Sequence, residues 1–233
     1  MTIALLELAY GALGELVTEL VFVGGATLEV LTSDPAAPPA RPTDDVDVVV
    51  QAATRVEYER MAERLRARKL FEDSSSTVIC RWRGAHTSLV LDVMPTSPSV
   101  FGFANRWYAE VVQTAQSVTL PSGAELRVIA APYLLATKFE AYADRGAGDI
   151  YGSRDLADIV TLLDRRPELL DEIAALRGDV RAYLAQEAGR FLARPDIGLM
   201  VSAHLSSDAA SQDRAQSIVL PALHAIAHGI DEA

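Results

Sequence analysis

Aspartate and valine alternate along Asp45-Val46-Asp47-Val48, and Val49 and Val50 extend the run. Alternation with a period of two is the signature of a β-strand, in which successive side chains point to opposite faces. Asp45 and Asp47 then share one face, roughly 6–7 Å apart at Cα, while Val46, Val48 and Val50 face a core. Asp44 falls on the valine side at the strand mouth and is the poorer candidate for chemistry. Aspartate is depleted in strands, and like charges on one face repel. Two readings of the pair follow. It is a solvated strand end, or it is a seat for Mg²⁺, a hard cation that takes carboxylates, waters and substrate phosphates.

The neighbouring segments narrow what kind of domain surrounds that strand. Val21-Phe22-Val23 reads as a short buried strand, Gly24-Gly25 ends it, and a helix opens at Ala26. Glycine at a strand-to-helix junction lets a phosphate approach the backbone N–H groups. It equally makes an ordinary tight turn. The stretch is neither a Walker A loop nor G-x-G-x-x-G. Upstream, Leu5, Leu6, Leu8, Leu13, Leu16, Val17 and Leu20 predict an amphipathic helix over 3–20. Between Ser33 and Pro42 lie Pro35, Pro38 and Pro39, an extended loop that delivers the chain to the acidic strand at 45–51.

Further on, the pattern predicts a charged helix over 55–69 with Val56, Met61 and Leu65 inward. Strands near 76–83 and 87–93 follow, then a short helix around 105–108, a turn at Pro121-Ser122-Gly123 and a strand over 125–129. From Pro132 the periodicity becomes helical, with helices over 132–145, 153–164, 167–175 and 177–194 and one or two more through 228. The expectation is an α+β fold: a mixed sheet with flanking helices in residues 1–130, followed by a helical region in 131–233.

Composition excludes several classes. The 233 residues carry 21 basic and 32 acidic side chains, a net charge of −11, which argues against a general nucleic-acid coat protein. Cys80 is the single cysteine, so no intramolecular disulfide and no thiolate cluster is expected. Its apolar setting, Thr77-Val78-Ile79-Cys80, predicts a buried inert thiol. The first twenty residues lack a basic leader and cleavage site, and no run reaches the ~18 apolar residues of a membrane helix. A cytoplasmic, non-membrane protein is expected.

Asp92 closes the apolar strand Leu89-Val90-Leu91. It is either a strand terminator or, if its strand adjoins the acidic one, a third carboxylate of a metal site. Lysine occurs only at 69 and 138, against nineteen arginines. A lysine inside the apolar helix around Tyr133 to Phe139 suggests a compact ammonium aimed at a partner such as triphosphate, or one that snorkels to solvent. Asp155 and Asp158 lie three apart on a helix capped by Ser153 and can share a face. Asp155 also suits the helix dipole.

Strand, Gly-Gly, helix, D-x-D strand and later lone Asp, in that order, resemble the nucleotidyltransferase superfamily of polymerase-β type. Val23-Gly24-Gly25-Ala26 with Arg41-x-Thr43-x-Asp45-x-Asp47 resembles more narrowly the AbiEii/AbiGii-type nucleotidyltransferases, toxins of toxin–antitoxin pairs. Lys138-Phe139-Glu140-Ala141-x-x-x-Arg145 and Arg154-Asp155-Leu156-x-Asp158 are similar to that family's downstream helices. The resemblance implies Mg²⁺ at Asp45, Asp47 and Asp92, and nucleotide contacts from Gly24, Gly25, Thr43, Lys138 and Arg145. It implies catalytic roles for the three strand carboxylates, Lys138, Asp155 and Asp158, with one of the last two orienting Lys138 or serving as base. It also implies transfer of a nucleoside monophosphate from an NTP to an RNA or protein acceptor, and a cognate antitoxin partner. The proline-rich loop after Gly25 and the short C-terminal part depart from the family pattern and bear on acceptor recognition. The acidic net charge would also suit a cationic acceptor, as in aminoglycoside adenylylation, and a non-catalytic nucleotide-binding module is the third alternative.

Two further groups have bland readings beside them. Arg60, Arg64 and Arg68 form an i, i+4 stripe, a solvated ion-paired face or, with Arg81 and Arg83, a grip for RNA. His224 and His228 are i, i+4, but with no acidic third ligand nearby a zinc site is not expected. Trp82, Trp107 and Tyr108 read as packing residues.

Overall fold

The structure is a computed structural model and describes residues 2–34, 40–146 and 149–229. Its contacts divide the chain into two units, Met1–Val30 with Arg41–Ala130 and Leu31–Ala40 with Ala131–Ala233. Pro35, Pro38 and Pro39 of the expected extended loop lie outside the described residues.

The first unit begins with α1 (Thr2–Leu13), which buries Leu6, Ala9 and Leu13. The helix predicted over 3–20 stops early because Gly14 takes a positive φ of 55°, and Gly14–Glu19 winds as a 3₁₀ segment. β1 (Leu20–Val23) is buried at every position. A 3₁₀ turn, Gly25–Thr27, and the single turn of α2 (Leu28–Leu31) follow. β2 (Val46–Val50) is the acidic strand, with its valines buried and Asp47 partly exposed.

α3 (Arg55–Ala67) starts at a capping box in which Thr54 accepts from the Glu57 backbone and the Glu57 side chain accepts from the Thr54 N–H. Its buried face is Tyr58, Met61, Ala62 and Leu65, an i, i+3, i+4, i+7 stripe. Val56 was expected on that face but is 64% exposed; two residues before Tyr58, it is turned about 200° away from it. The helix ends before 69 because Lys69 adopts a left-handed φ of 64°. That turn leads into β3 (Leu70–Glu72), a strand too short and too exposed to show a pattern.

The predicted strand over 76–83 shrinks to β4 (Arg81–Gly84). Asp73 and Ser76 side chains accept from the backbone N–H groups of Ser75 and Val78, which turns the chain before Arg81 and leaves Ile79 exposed. β5 (Val90–Pro95) follows. The helix expected at 105–108 is α4 (Tyr108–Thr114), displaced because Asn105 Oδ1 accepts from Trp107 N in a turn before it. β6 (Gln116–Thr119), unanticipated because it carries a single apolar residue, pairs with β7 (Glu125–Val128) across the Pro121–Gly123 turn.

Among the described residues seven strands form one mixed sheet in the order β3-β4-β5-β2-β1-β7-β6. β2 is central, antiparallel to β1 and parallel to β5. The fold is α+β. Trp82 and Trp107 are core residues, and Cys80 is buried.

The second unit contains α5 (Ala131–Ala141), a π turn (Tyr142–Gly146), α6 (Arg154–Arg165), α7 (Leu169–Ala175) and α8 (Asp179–Leu192). α9 (Ile197–Ser202), α10 (Ala209–Arg214), a second π turn and α11 (Leu220–His228) complete it. Phe139 and Phe191 meet edge to face at 5.0 Å, with Tyr142 5.1 Å from the same ring. The segment after α2 is tied here by Ser33 to Glu168 and by Arg214, which bridges Asp34 and Asp164 at 2.7 Å each. His224 and His228 stack at 5.8 Å. Among the described residues no helix is long and apolar enough to cross a membrane.

The reassigned inner face of α3 makes a direct test. Val56→Asp is expected to change unfolding free energy by less than about 0.5 kcal/mol, and Leu65→Ala to cost about 2–5 kcal/mol. Thr54→Ala, which removes the cap, is expected to cost about 0.5–2 kcal/mol. Urea unfolding of the three variants reads all of these.

Candidate active site

The acidic cluster is built by strand register. Asp47 on β2 stands opposite Val23 on β1 and Asp92 on β5, and cross-strand partners in register share a face of the sheet. Adjacent strands lie about 4.8 Å apart, so two carboxylates are held side by side in the middle of the sheet. Asp45 precedes the strand, steadied by the Thr43 hydroxyl, which donates to Asp45 Oδ1 at 3.1 Å. Asp44 is exposed.

Gly24 follows Val23 and closes the cluster from the β1 side. Its φ of 71° and ψ of −165° belong to a region essentially reserved for glycine. A Cβ at this position would collide with the Asp47 carboxylate. Gly24 O accepts from Thr27 N at 3.2 Å and Thr27 Oγ1 at 2.8 Å. The helix predicted from Ala26 is therefore a 3₁₀ turn and one α turn, and the Thr27 amide is already used in closing it.

The arginine that completes this cluster was not anticipated there. Arg81 on β4 is the antiparallel partner of Asp92. Its Nε donates to Asp92 Oδ1 and its Nη2 to Asp92 Oδ2, both at 2.8 Å. The same Nη2 donates to Asp45 Oδ2 at 2.8 Å. Charge-assisted bidentate pairs of this kind are strong and geometrically specific. The Asp92 hydrogen bonds first, and then the charges of Asp92, Asp45 and Asp47, push the guanidinium pKa up against the effect of burial. Cys80, next in sequence, has its thiol pushed up to about 12 by burial first and by Asp92 and Asp47 second, so it stays protonated and inert.

Three of the other arginines read as an RNA grip have protein partners of their own. Arg83 pairs with Asp73 at 2.5 Å, Arg64 with Glu19 at 2.6 Å, and Arg68 donates to the carbonyls of Ala12 and Gly11. The alternation Arg81-Trp82-Arg83 did mark a strand with both arginines on one face and Trp82 inward. Only the sheet order could reveal what Arg81 would meet.

The donor set suits a hard divalent cation: aspartate oxygens alone, with room left in the coordination shell for phosphate and water oxygens. Among the described residues no group of three acidic or histidine side chains forms a ready cage. The Arg81 guanidinium stands in as the cation on which Asp45 and Asp92 oxygens converge. The residues fit a two-carboxylate seat of the kind Mg²⁺ uses beside a nucleotide.

In the second unit Lys138 of α5 and the two acids of α6 come together. Lys138 Nζ lies 2.6 Å from Asp158 Oδ2 and 3.2 Å from Asp155 Oδ1, so both acids hold it. The trio is buried, with Asp158 only 1% exposed; the snorkelling alternative does not apply. Arg145, in the π turn after α5, donates from Nε to Asp155 Oδ2 at 2.8 Å and from Nη2 to Oδ1 at 3.1 Å. Its side chain is otherwise largely open to solvent. Burial pushes the Asp155 carboxyl up, but the Arg145 hydrogen bond and the Lys138 and Arg145 charges together hold its pKa below the ordinary value. Ser153 caps α6 by accepting from Leu156 N, which sets Asp155 in the first turn.

Over residues 8–222 the chain matches the family described as nucleotidyl transferase AbiEii toxin, Type IV TA system. No curated protein sequence matches it. Among solved structures it is similar to a crystal structure of ANT(2")-Ia in complex with adenylyl-2"-tobramycin, with 15% identity and a TM-score of 0.46, covering 81% of this chain and 98% of that one.

Three variants check the geometry. Gly24→Ala is expected to cost at least about 1–3 kcal/mol in backbone strain and to displace Asp47, measured by urea unfolding. Lys138→Met leaves the Asp158 charge buried without its ammonium partner, a loss of about 3–5 kcal/mol. Asp155→Asn carries a pH signature. A carboxylate with a depressed folded pKa adds stability above its ordinary pKa, here 3.8, and loses it as pH falls through the folded value. The penalty of Asp155→Asn relative to the parent chain is therefore expected in full at pH 7 and to shrink below pH 3.8, read as the difference in Tm across that range.

Proposed function

The chain belongs to the AbiEii nucleotidyl transferase toxin family, and we propose that it moves a nucleoside monophosphate from an NTP to an RNA or protein acceptor with Mg²⁺ seated at Asp45 and Asp47. The chain is a nucleotidyltransferase. The observation that carries the proposal is the acidic row itself, Asp47 in register with Asp92 and Asp45 beside them, packed against a glycine whose missing side chain leaves room for the Asp47 carboxylate. Acidic side chains cost stability in the centre of a sheet; a chain that only packed or bound a protein would have no use for them.

In the reaction an acceptor oxygen forms a bond to the α-phosphorus, the bond to the pyrophosphate oxygen breaks, and the acceptor proton leaves to a base or to water. Bound Mg²⁺ supplies neutralisation of the phosphate oxygens as charge moves onto the leaving group. Asp45 and Asp47 hold it, and Thr43 keeps the Asp45 carboxylate turned toward the seat. Gly24 and Gly25 let phosphate oxygens approach the main chain. In the second unit Lys138 and Arg145 carry positive charge of the kind nucleotide phosphates take, with Asp155 and Asp158 fixing where the Lys138 ammonium sits. Buried and paired as they are, Asp155 and Asp158 suit the work of positioning better than that of a general base.

The type IV toxin–antitoxin description of the family supports a role as the toxin of a pair, with a cognate antitoxin as partner. The net charge of −11 favours a second reading, transfer to a cationic small molecule of the aminoglycoside type.

One assay separates these. The protein is incubated with Mg²⁺ and each α-labelled NTP, together with total RNA, cell protein or an aminoglycoside. Label is expected on RNA or protein, from a preferred NTP. Asp47→Asn is expected to lower labelling by about 100-fold or more. Labelling of the aminoglycoside alone supports the second reading, and equal labelling by Asp47→Asn removes Asp47 from the cation seat.

A further inference from the structure

Arg81 has no part in the reaction as proposed, yet it occupies the ground between two of the three carboxylates of the cluster. It makes two unequal attachments. To Asp92 it presents a fork, Nε and Nη2 each 2.8 Å from a different oxygen, so both Asp92 oxygens are engaged. To Asp45 it gives one hydrogen bond, through an Nη2 already shared with Asp92. The Asp92 side chain is 9% exposed and those of Arg81 and Asp45 are 21% and 24% exposed. The weaker attachment is thus the one nearer solvent.

Resting on the cation seat proposed above, we infer that Arg81 is an internal counter-cation that competes with the divalent ion for Asp45. Without metal, three carboxylates crowd one face of adjoining strands, an arrangement that like-charge repulsion destabilises. The guanidinium offsets that repulsion from β4. When a divalent ion takes Asp45 and Asp47, the second positive charge is no longer needed at Asp45, and repulsion between the two cations favours release of the shared Nη2. The fork on Asp92 keeps the arginine from leaving altogether. Asp92 in this arrangement is the anchor of Arg81, a positioning residue, because each of its oxygens already accepts from the guanidinium fork and a metal would have to compete with that part-buried bidentate pair.

A purely structural counter-charge and a competing one differ in one measurable way. Removing a competitor tightens metal binding, whereas removing a strut loosens it. Mn²⁺ alone, as a paramagnetic substitute for Mg²⁺, is titrated into the full chain and followed by electron paramagnetic resonance, with Tm recorded with and without the ion. Arg81→Met is expected to bind Mn²⁺ about tenfold more tightly than the parent chain. Its Tm is expected to be lower without metal and to rise more on adding Mn²⁺ than that of the parent. Asp45→Asn is expected to weaken Mn²⁺ binding by about tenfold or more. Should Arg81→Met not fold, Arg81→Gln, which removes the charge but keeps a donor for Asp92, carries the same readout. Unchanged or weaker Mn²⁺ affinity in the Arg81 variant, while Asp45→Asn still loses binding, overturns the role of Arg81 and leaves the cation seat standing. Unchanged affinity in Asp45→Asn overturns both.

Discussion

The parallel pairing of β2 with β5 puts Asp47 beside Asp92 at a spacing set by backbone hydrogen bonds, and much of the first unit answers to that constraint. Two negative charges held side by side in a sheet repel, and the neighbouring strands carry the compensation. β4 brings Arg81 to Asp92 and Asp45. β1 ends in a glycine whose backbone conformation and lack of a side chain leave the Asp47 carboxylate its place. The buried valines of β2 and the all-buried β1 are what hold the register, since a one-residue slip would turn the carboxylates inward and the valines outward.

The second unit handles charge by a different route. Lys138, Asp155 and Asp158 are buried together, with Arg145 reaching Asp155 from the solvent side. Burying ions is costly unless they are paired and hydrogen-bonded, and here each carboxylate has a cation against it. Such an arrangement gives little net stability. It holds a single ammonium in one position, as a positioning device requires. Both units thus place charged groups where packing alone would choose apolar ones, and sites of that kind are where local rules yield to function.

Much of the architecture was legible because periodicity reports burial directly. The acidic strand, the helices α5 to α8 and the turn at Pro121–Gly123 all follow from local pattern. The failures also have local causes. A helical apolar stripe continues past Gly14, but the backbone there is left-handed. Val56 counts as apolar in any periodicity, yet it lies on the outer side of α3. β3 and β6 are short and largely exposed, so they carry no alternation to read. Arg81 and Arg83 look alike as strand residues flanking Trp82; one meets a pair of strand carboxylates and the other an aspartate in the preceding turn.

By itself the sequence determined which residue types sit in which element: carboxylates at and just before the start of a valine strand, an acid in an apolar strand, a rare lysine in an apolar helix and two acids three apart on the next. Those are consequences of backbone geometry within a few residues. Tertiary structure alone decided that β2 and β5 are neighbours, that Asp47 and Asp92 stand in register, and that an arginine from β4 lies across the carboxylates. Strand order and register arise from the packing of whole faces against one another, a property of distant segments acting together that no local pattern contains.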